Sequence, residues 1–382
     1  MKIAILTLRL HTNYGGILQA YALQKILRRE GHDVDTLQRN TIYSHGYLVM
    51  PLIYLYRLLK KCIGKYDKPI FLERKILEND KIVSVNTNAF IERNINIRKI
   101  ESLNEVKRND YDAIVVGSDQ IWRKAYFCYD WNTQISDAFL NFTKKWNLKR
   151  ISYAASFGID NIEKEYSIKD LKKCITNIKL FDALSVREIS GVKICKNSLG
   201  ADATHVLDPT MLLDKKEYID LVNIANIPKS DGNLFCYILD PNDFKTMIIN
   251  RVKERQGLSP FFFGIKYNEI GKKQQVTAQP QVESWLRGFM DANLIITDSF
   301  HACVFSYIFK KPFIVIGNET RGITRIESLL KLFHLEDNLL LESENISDDR
   351  LLYLVNKPID EYNADFETLK VQSITFLKNI GK

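Results

Sequence analysis

Apolar and polar positions along this chain keep two alternating rhythms. Short apolar runs at residues 2–8, 34–37, 112–116, 150–155 and 183–186 have strand length, and longer stretches with helical spacing follow some of them. The first helix is predicted over residues 16–30. There Ile17, Leu18, Tyr21, Ala22, Leu23, Ile26 and Leu27 share one broad face, and Gly31 supplies the stop. Near residue 200 a loop-like passage intervenes, His205-Val206-Leu207-Asp208-Pro209-Thr210. A second series then begins, with strands at 234–238, 261–263, 294–296 and 313–316 and helices at 243–255 and 282–290. A terminal helix is predicted over residues 365–380. Uniformly apolar strands suit parallel sheets covered on both faces. The expectation is therefore an α/β chain of two Rossmann-like domains facing a central cleft. Residues 1–200 would form the first domain, 201–358 the second, and 359–382 a C-terminal helix.

Composition narrows the class. A chain of 382 residues exceeds one ordinary core, and 46% hydrophobic with 26% charged residues is a globular balance. The formal charge of +8 favours anionic partners without choosing among them. No nucleic-acid recognition module is apparent, and nucleic acid is not expected as a partner. Cys62, Cys128, Cys174, Cys195, Cys236 and Cys303 are scattered, with no C-x-x-C pair, which predicts reduced thiols in a cytoplasmic protein. No carboxylate cluster suits a metal, so no metal and no resident cofactor are expected.

Residues 43–83 stand apart. Tyr47, Leu48, Val49, Met50, Leu52, Ile53, Tyr54, Leu55 and Tyr56 lead into Arg57, Lys60, Lys61, Lys65 and Lys68. Aromatics beside a basic cluster suit an element resting on anionic lipid. The favoured expectation is plainer: a helical insertion covering the first sheet, with its lysines solvated.

Four polar clusters fall where predicted strands end, the edge at which open α/β sheets bind ligands. Asn13-Tyr14-Gly15-Gly16 follows the first strand; paired glycines allow close backbone approach, and the helix start favours an anion. Gly117-Ser118-Asp119-Gln120, with Trp122 behind, offers a carboxylate, an amide and an indole of the kind that bind a sugar; an N-cap and a core tryptophan explain it equally. Val186-Arg187-Glu188 places a guanidinium for a carboxylate or phosphate, or for an internal salt bridge. Thr297-Asp298-Ser299-Phe300-His301 puts an imidazole in the first turn of a helix, beside a natural anion site. After the next strand come Arg321 and Arg325, again suited to an anion.

Taken in order, these segments and Leu207-Asp208-Pro209-Thr210 resemble the polysaccharide pyruvyltransferase family over about residues 3–335. The resemblance implies a fold like that of GT-B glycosyltransferases. It also implies transfer of the pyruvyl group of phosphoenolpyruvate to a sugar hydroxyl pair, giving a cyclic ketal on a surface polysaccharide or its lipid-linked precursor. Many members carry an arginine where this chain has Ser299. The roles expected on this basis are general acid for His301 and acceptor of the hydroxyl proton for Asp119. Arg187, Ser299, Phe300, Arg321 and Arg325 would hold phosphoenolpyruvate. Asn13, Tyr14, Gly15, Gly16, Ser118, Gln120 and Trp122 would line the acceptor. The expected partners are phosphoenolpyruvate and a glycan, on a polyprenyl-diphosphate carrier, with peripheral contact at the inner face of the cytoplasmic membrane. Rival expectations are a GT-B glycosyltransferase using a nucleotide sugar, and a non-catalytic sugar-binding protein of the same fold.

Overall fold

The computed structural model describes residues 1–40, 49–66, 68–263, 277–317 and 323–381. Among these the strands form two five-stranded parallel sheets and one small pair. The first sheet contains β1 (Lys2–Leu6), β2 (Asp33–Arg39), β3 (Ile97–Ile100), β4 (Ala113–Val116) and β5 (Lys149–Ser152), ordered β3-β2-β1-β4-β5. The short strands β6 (Ser185–Val186) and β7 (Thr204–His205) pair in parallel, and bridges from Ile151 to Ala183 and Ala155 to Val186 join them to β5. The second sheet holds β8 (Leu234–Tyr237), β9 (Pro260–Phe262), β10 (Leu294–Thr297), β11 (Phe313–Ile316) and β12 (Leu339–Leu340), ordered β12-β11-β10-β8-β9. The two-lobed, helix-flanked α/β architecture expected from the apolar rhythm is the one observed.

The strand orders matter for function. In the first sheet the order reverses between β1 and β4; in the second it reverses between β8 and β10. Ligands of open α/β sheets bind outside the carboxyl ends of the strands at such reversals. Three of the four polar clusters, those after β1, β4 and β10, therefore stand at the switch points of the two lobes.

Local chemistry explains the elements that carry these clusters. The helix Tyr14–Arg29 starts two residues before its predicted start because Asn13 caps it, its side chain accepting from the Gly16 N–H at 3.1 Å. Gly15 and Gly16 thus form the first helical turn and not a loop. Gly31, at φ +83, ends the passage. The helix Phe300–Ile308 begins directly after Ser299, and Cys303 to Phe305 are wholly buried behind β10.

The lobes share one hydrophobic cluster that runs from Ile3 and Tyr14 to Trp285 and Phe305. Tyr14 stacks on Trp285 with ring centroids 5.5 Å apart, and its hydroxyl donates to the Pro280 carbonyl at 2.8 Å. The C-terminal helix Ala364–Lys378 returns to the first lobe: Leu207 N–H donates to Ser373 Oγ at 2.8 Å, and Phe376 packs 6.0 Å from Tyr153.

The insertion departs from its favoured expectation. Its first part, residues 43–48, lies outside the described residues. The helix Met50–Cys62 contains no buried residue, so it does not serve as a cover for the first sheet. It pairs with the helix Leu72–Val83 through Tyr54 against Phe71, 4.8 Å between ring centroids, and through the Arg57–Glu73 ion pair. Among the described residues, no helix is long and apolar enough to cross a membrane.

Candidate active site

The site is built from the ends of strands. Arg187, immediately after β6, is its centre and is nearly sealed, its side chain 1% exposed. One terminal nitrogen donates to Asp208 Oδ2 at 2.7 Å and the other to Asp119 Oδ1 at 2.9 Å. Asp208 lies just past β7 and collects further donors: Thr210 Oγ and N–H on Oδ1 at 2.7 and 3.1 Å, and Ser118 Oγ on Oδ2 at 3.2 Å. Ser118 is itself pinned, its N–H donating to Gln19 Oε1 at 3.0 Å. Asp119 adopts a left-handed backbone, φ +58, a conformation that a non-glycine residue keeps only when its surroundings impose it.

His301 enters from the other lobe. Its Nε2 stands 3.7 Å from Asp208 Oδ2, an electrostatic contact too long for a hydrogen bond, and this buried nitrogen has no hydrogen-bond partner among the described residues. On its other side the ring meets Gly15 of the first lobe: a Cβ placed on Gly15 would lie 2.1 Å from Nδ1. The imidazole is therefore held in the crevice between the lobes, against the bare start of one helix and within the first turn of another. Phe300 lies close to two guanidinium groups, Arg187 4.5 Å and Arg325 5.7 Å from its ring centroid.

Charge in this cluster is closely balanced. Burial alone would raise Asp119, but Arg187, His301 and Arg325 outweigh it and hold the carboxyl below its usual range. Asp208 is likewise drawn well below the usual range, burial being overcome by His301, Arg187 and Thr210. Glu188 goes the other way, raised by burial and only partly restrained by Arg187 and Arg325. Burial and Arg187 bring Arg325 down to about 10, which leaves it charged at neutral pH. Among the described residues, two guanidinium groups thus face two carboxylates held below their usual range and a third raised above it.

These positions revise several sequence-based expectations. His301, Asp119, Arg187, Phe300, Arg325, Gly15 and Ser118 come together. Arg321 lies outside the described residues. Arg187 is occupied by internal carboxylates, so the salt bridge and the anion grip that were alternatives in the sequence concern the same guanidinium. Ser299 is 7% exposed; its side chain makes no cap bond, and its N–H donates to Thr297 Oγ at 3.0 Å. Trp122 is wholly buried, stacked on Phe139 with its N–H on the Ala138 carbonyl, so no sugar ring can stack on it. Tyr14 is equally buried and joins the lobes, which removes it from an acceptor surface. Asn13 Oδ1 serves the cap, which leaves its exposed amide nitrogen toward solvent, and Gln120 accepts from Arg123 at 3.2 Å. Asp208 was legible only as part of a loop motif; an Asp-Pro step that caps a short turn gives no hint of a buried hub.

Open space lies on the rim of the first lobe. A hollow of about 390 Å³ is lined by Arg9, Gln38, Arg39, Asn40, Asn88 and Asn96 among others. A second, of about 480 Å³, lies across Arg39 and includes Asn104, Gln134, Asp137 and Asn141. Neither is lined by His301, whose own surroundings are nearly closed.

No curated protein matches the chain. Among solved structures, Arabidopsis thaliana UGT89C1 is 8% identical with a TM-score of 0.49, covering 99% of this chain and 98% of that one. The UDP-GlcNAc 2-epimerase from Methanocaldococcus jannaschii is 13% identical with a TM-score of 0.48, covering 97% and 99%. At that level of likeness neither activity transfers to this chain. The family model described as polysaccharide pyruvyl transferase matches residues 13–320, from the cap of the first helix to just past β11. That span takes in the turns after β1, β4, β6, β7 and β10, and on it the chain belongs to the polysaccharide pyruvyl transferase family, whose general activity is the pyruvylation of polysaccharides.

Proposed function

We propose that this protein transfers the pyruvyl group of phosphoenolpyruvate to a pair of hydroxyls on a glycan, forming a cyclic ketal and releasing phosphate. The observation that carries this reading is the imidazole of His301, lodged between the lobes with an Nε2 unpartnered among the described residues and two guanidinium groups close to its neighbour Phe300. The reaction needs a proton on carbon 3 of the donor, attack on carbon 2 by one sugar hydroxyl, and displacement of phosphate from carbon 2 by the second hydroxyl, whose proton leaves with the phosphate. His301 is the general acid. Arg187 and Arg325 meet the donor's carboxylate and phosphate, and the Ser299 hydroxyl with the N–H groups of the helix turn after it adds neutral donors.

The internal pairing of Arg187 supports an order of events. While Arg187 holds Asp119, that carboxylate is a weak base, its pKa drawn down. When the anionic donor takes over the guanidinium, Asp119 loses its closest cation and gains basicity, and it then accepts the attacking hydroxyl's proton. Donor binding thus primes the base before the acceptor reacts. The acceptor enters over the hollow lined by Asn40 and Asn88, whose amides suit sugar hydroxyls and replace Trp122 and Tyr14 in that role. It is a surface polysaccharide or its polyprenyl-diphosphate-linked precursor, met at the inner face of the cytoplasmic membrane.

Release of inorganic phosphate from phosphoenolpyruvate, measured with and without a pool of lipid-linked glycans, tests this. Acceptor-dependent release is the expected result. Consumption of a nucleotide sugar with no phosphate released from phosphoenolpyruvate would establish the glycosyltransferase reading instead. A silent protein with both donors would point to a sugar-binding role.

A further inference from the structure

The helix Met50–Cys62 presents an apolar stripe with no described part of the chain against it. Leu52, Leu55, Tyr56, Leu59 and Ile63 are each more than half exposed and, at helical spacing, fall within a sector of about 100°. Its opposite side is fixed by Arg57, whose guanidinium makes two hydrogen bonds to Glu73 at 2.6 and 2.7 Å, so the stripe's outward direction is set by the hairpin. Isolated exposed leucines are ordinary; five neighbours on one stripe call for an occupant.

The charge beside the stripe says which. Lys60, Lys61, Lys65 and Lys68 cluster at its C-terminal end, and residues 41–66 contain no Asp or Glu. We propose that this hairpin is an interfacial docking element for an anionic lipid bilayer, its stripe entering the headgroup boundary and its lysines meeting lipid phosphates. A second copy of the chain fits less well, since a contact through this stripe would offer the lysines no carboxylate from residues 41–66 of the other copy.

The hairpin also borders the cleft. Asp80, in its second helix, lies 3.2 Å from Arg9 and 2.6 Å from His11, in the segment that leads to Asn13 and Gly15. The Val83 carbonyl accepts from the Gln279 N–H at 2.9 Å, in the segment carrying Pro280. Docking would therefore set the mouth of the cleft close to the bilayer, where a lipid-linked glycan resides. This rests on the proposed acceptor only for its purpose; the docking surface is a property of the hairpin.

Co-sedimentation of the full chain with vesicles tests it. With vesicles of phosphatidylglycerol and phosphatidylcholine at low salt the protein should pellet, and with phosphatidylcholine alone it should stay largely free. Replacing Lys60, Lys61 and Lys65 by serine should weaken partitioning on the order of a hundredfold, and Leu55→Ser with Leu59→Ser by more than about tenfold. Both variants change exposed side chains and should keep the parent's melting temperature. Failure of the parent to pellet, variants that pellet as well as the parent, or self-association abolished by the leucine changes would each overturn the proposal. The vesicles carry neither donor nor acceptor, so the result is independent of whether phosphoenolpyruvate is the substrate.

Discussion

Gly15 and His301 come from different lobes and share one space: the missing Cβ of the glycine is where the imidazole sits, 2.1 Å from Nδ1. The ring could not be there beside any other residue at position 15 without moving. The first helix of one lobe therefore sets the position of the candidate acid on the other, and closure of the lobes and assembly of the site are the same event.

Gly15→Ala should separate activity from folding. The added methyl has to displace the ring, and overpacking of this kind costs about 1–3 kcal/mol. A displacement near 1 Å at a reacting group lowers turnover on the order of a hundredfold. Steady-state kinetics with a melting curve check this, and unchanged turnover would place the reacting position of His301 away from Gly15.

His301→Gln should lower turnover by about 10² to 10⁴, the range expected for loss of general acid–base catalysis, with the melting temperature close to the parent's. Among the described residues the ring's Nε2 makes no hydrogen bond for folding to lose. Activity within a few-fold of the parent would remove His301 from the proton's path.

Asp208→Asn should act on stability first. It leaves the sealed guanidinium of Arg187 with one carboxylate fewer, and breaking a buried ion pair from one side costs about 3–5 kcal/mol. Urea denaturation reads this directly. A loss below about 1 kcal/mol would mean that the charge of Arg187 is met elsewhere.

Much of this was legible in the sequence, for a physical reason. β4, β10 and β11 are wholly buried and β1 is buried from Ile3 onward, so apolar runs suit them and polar residues gather where each run leaves the sheet. That is why Asp119, Arg187 and His301 could be picked out. β3 and β12 could not: Ile97–Ile100 carries Arg98 and Lys99 at a sheet edge, and Leu339–Leu340 is two residues long. The side to which a polar residue turns was equally hidden. Trp122 reads equally as a sugar-binding indole or a core tryptophan, and Tyr14 as part of an acceptor surface, yet both are core, because an aromatic after a strand can fold back under its own turn. Asp208 registered only within a loop motif, since its importance lies mainly in Ser118, Arg187 and His301, which are distant in the sequence.

Acid sensitivity should show an inter-lobe component. Glu217 pairs with Lys25 at 2.9 Å and with Arg29, joining the helix Lys215–Ile224 to the first helix of the other lobe. Burial would raise its pKa, but Arg29, Lys25 and the Asp214 N–H bring it down to about 2 from an ordinary 4.5. A depressed carboxyl stabilises the fold above its unfolded value, and that contribution fades as pH falls from about 4.5 to about 2. Glu217→Gln should therefore cost up to about 1 kcal/mol at pH 7, discounted for solvent screening, and nothing at pH 2. Melting curves of both proteins across that range check it; a constant difference would assign the effect to packing.

The most direct test of the central claim, an acidic donor held beside His301 by guanidinium groups, is a thermal shift with phosphoenolpyruvate in the parent and in Arg325→Gln. At a hundredfold excess over its dissociation constant the ligand should add about 2.7 kcal/mol, a rise of several degrees in the parent, and the variant should lose most of that rise at the same concentration. A parent that ignores phosphoenolpyruvate but is stabilised by a nucleotide sugar, or a variant that responds as the parent does, would contradict it.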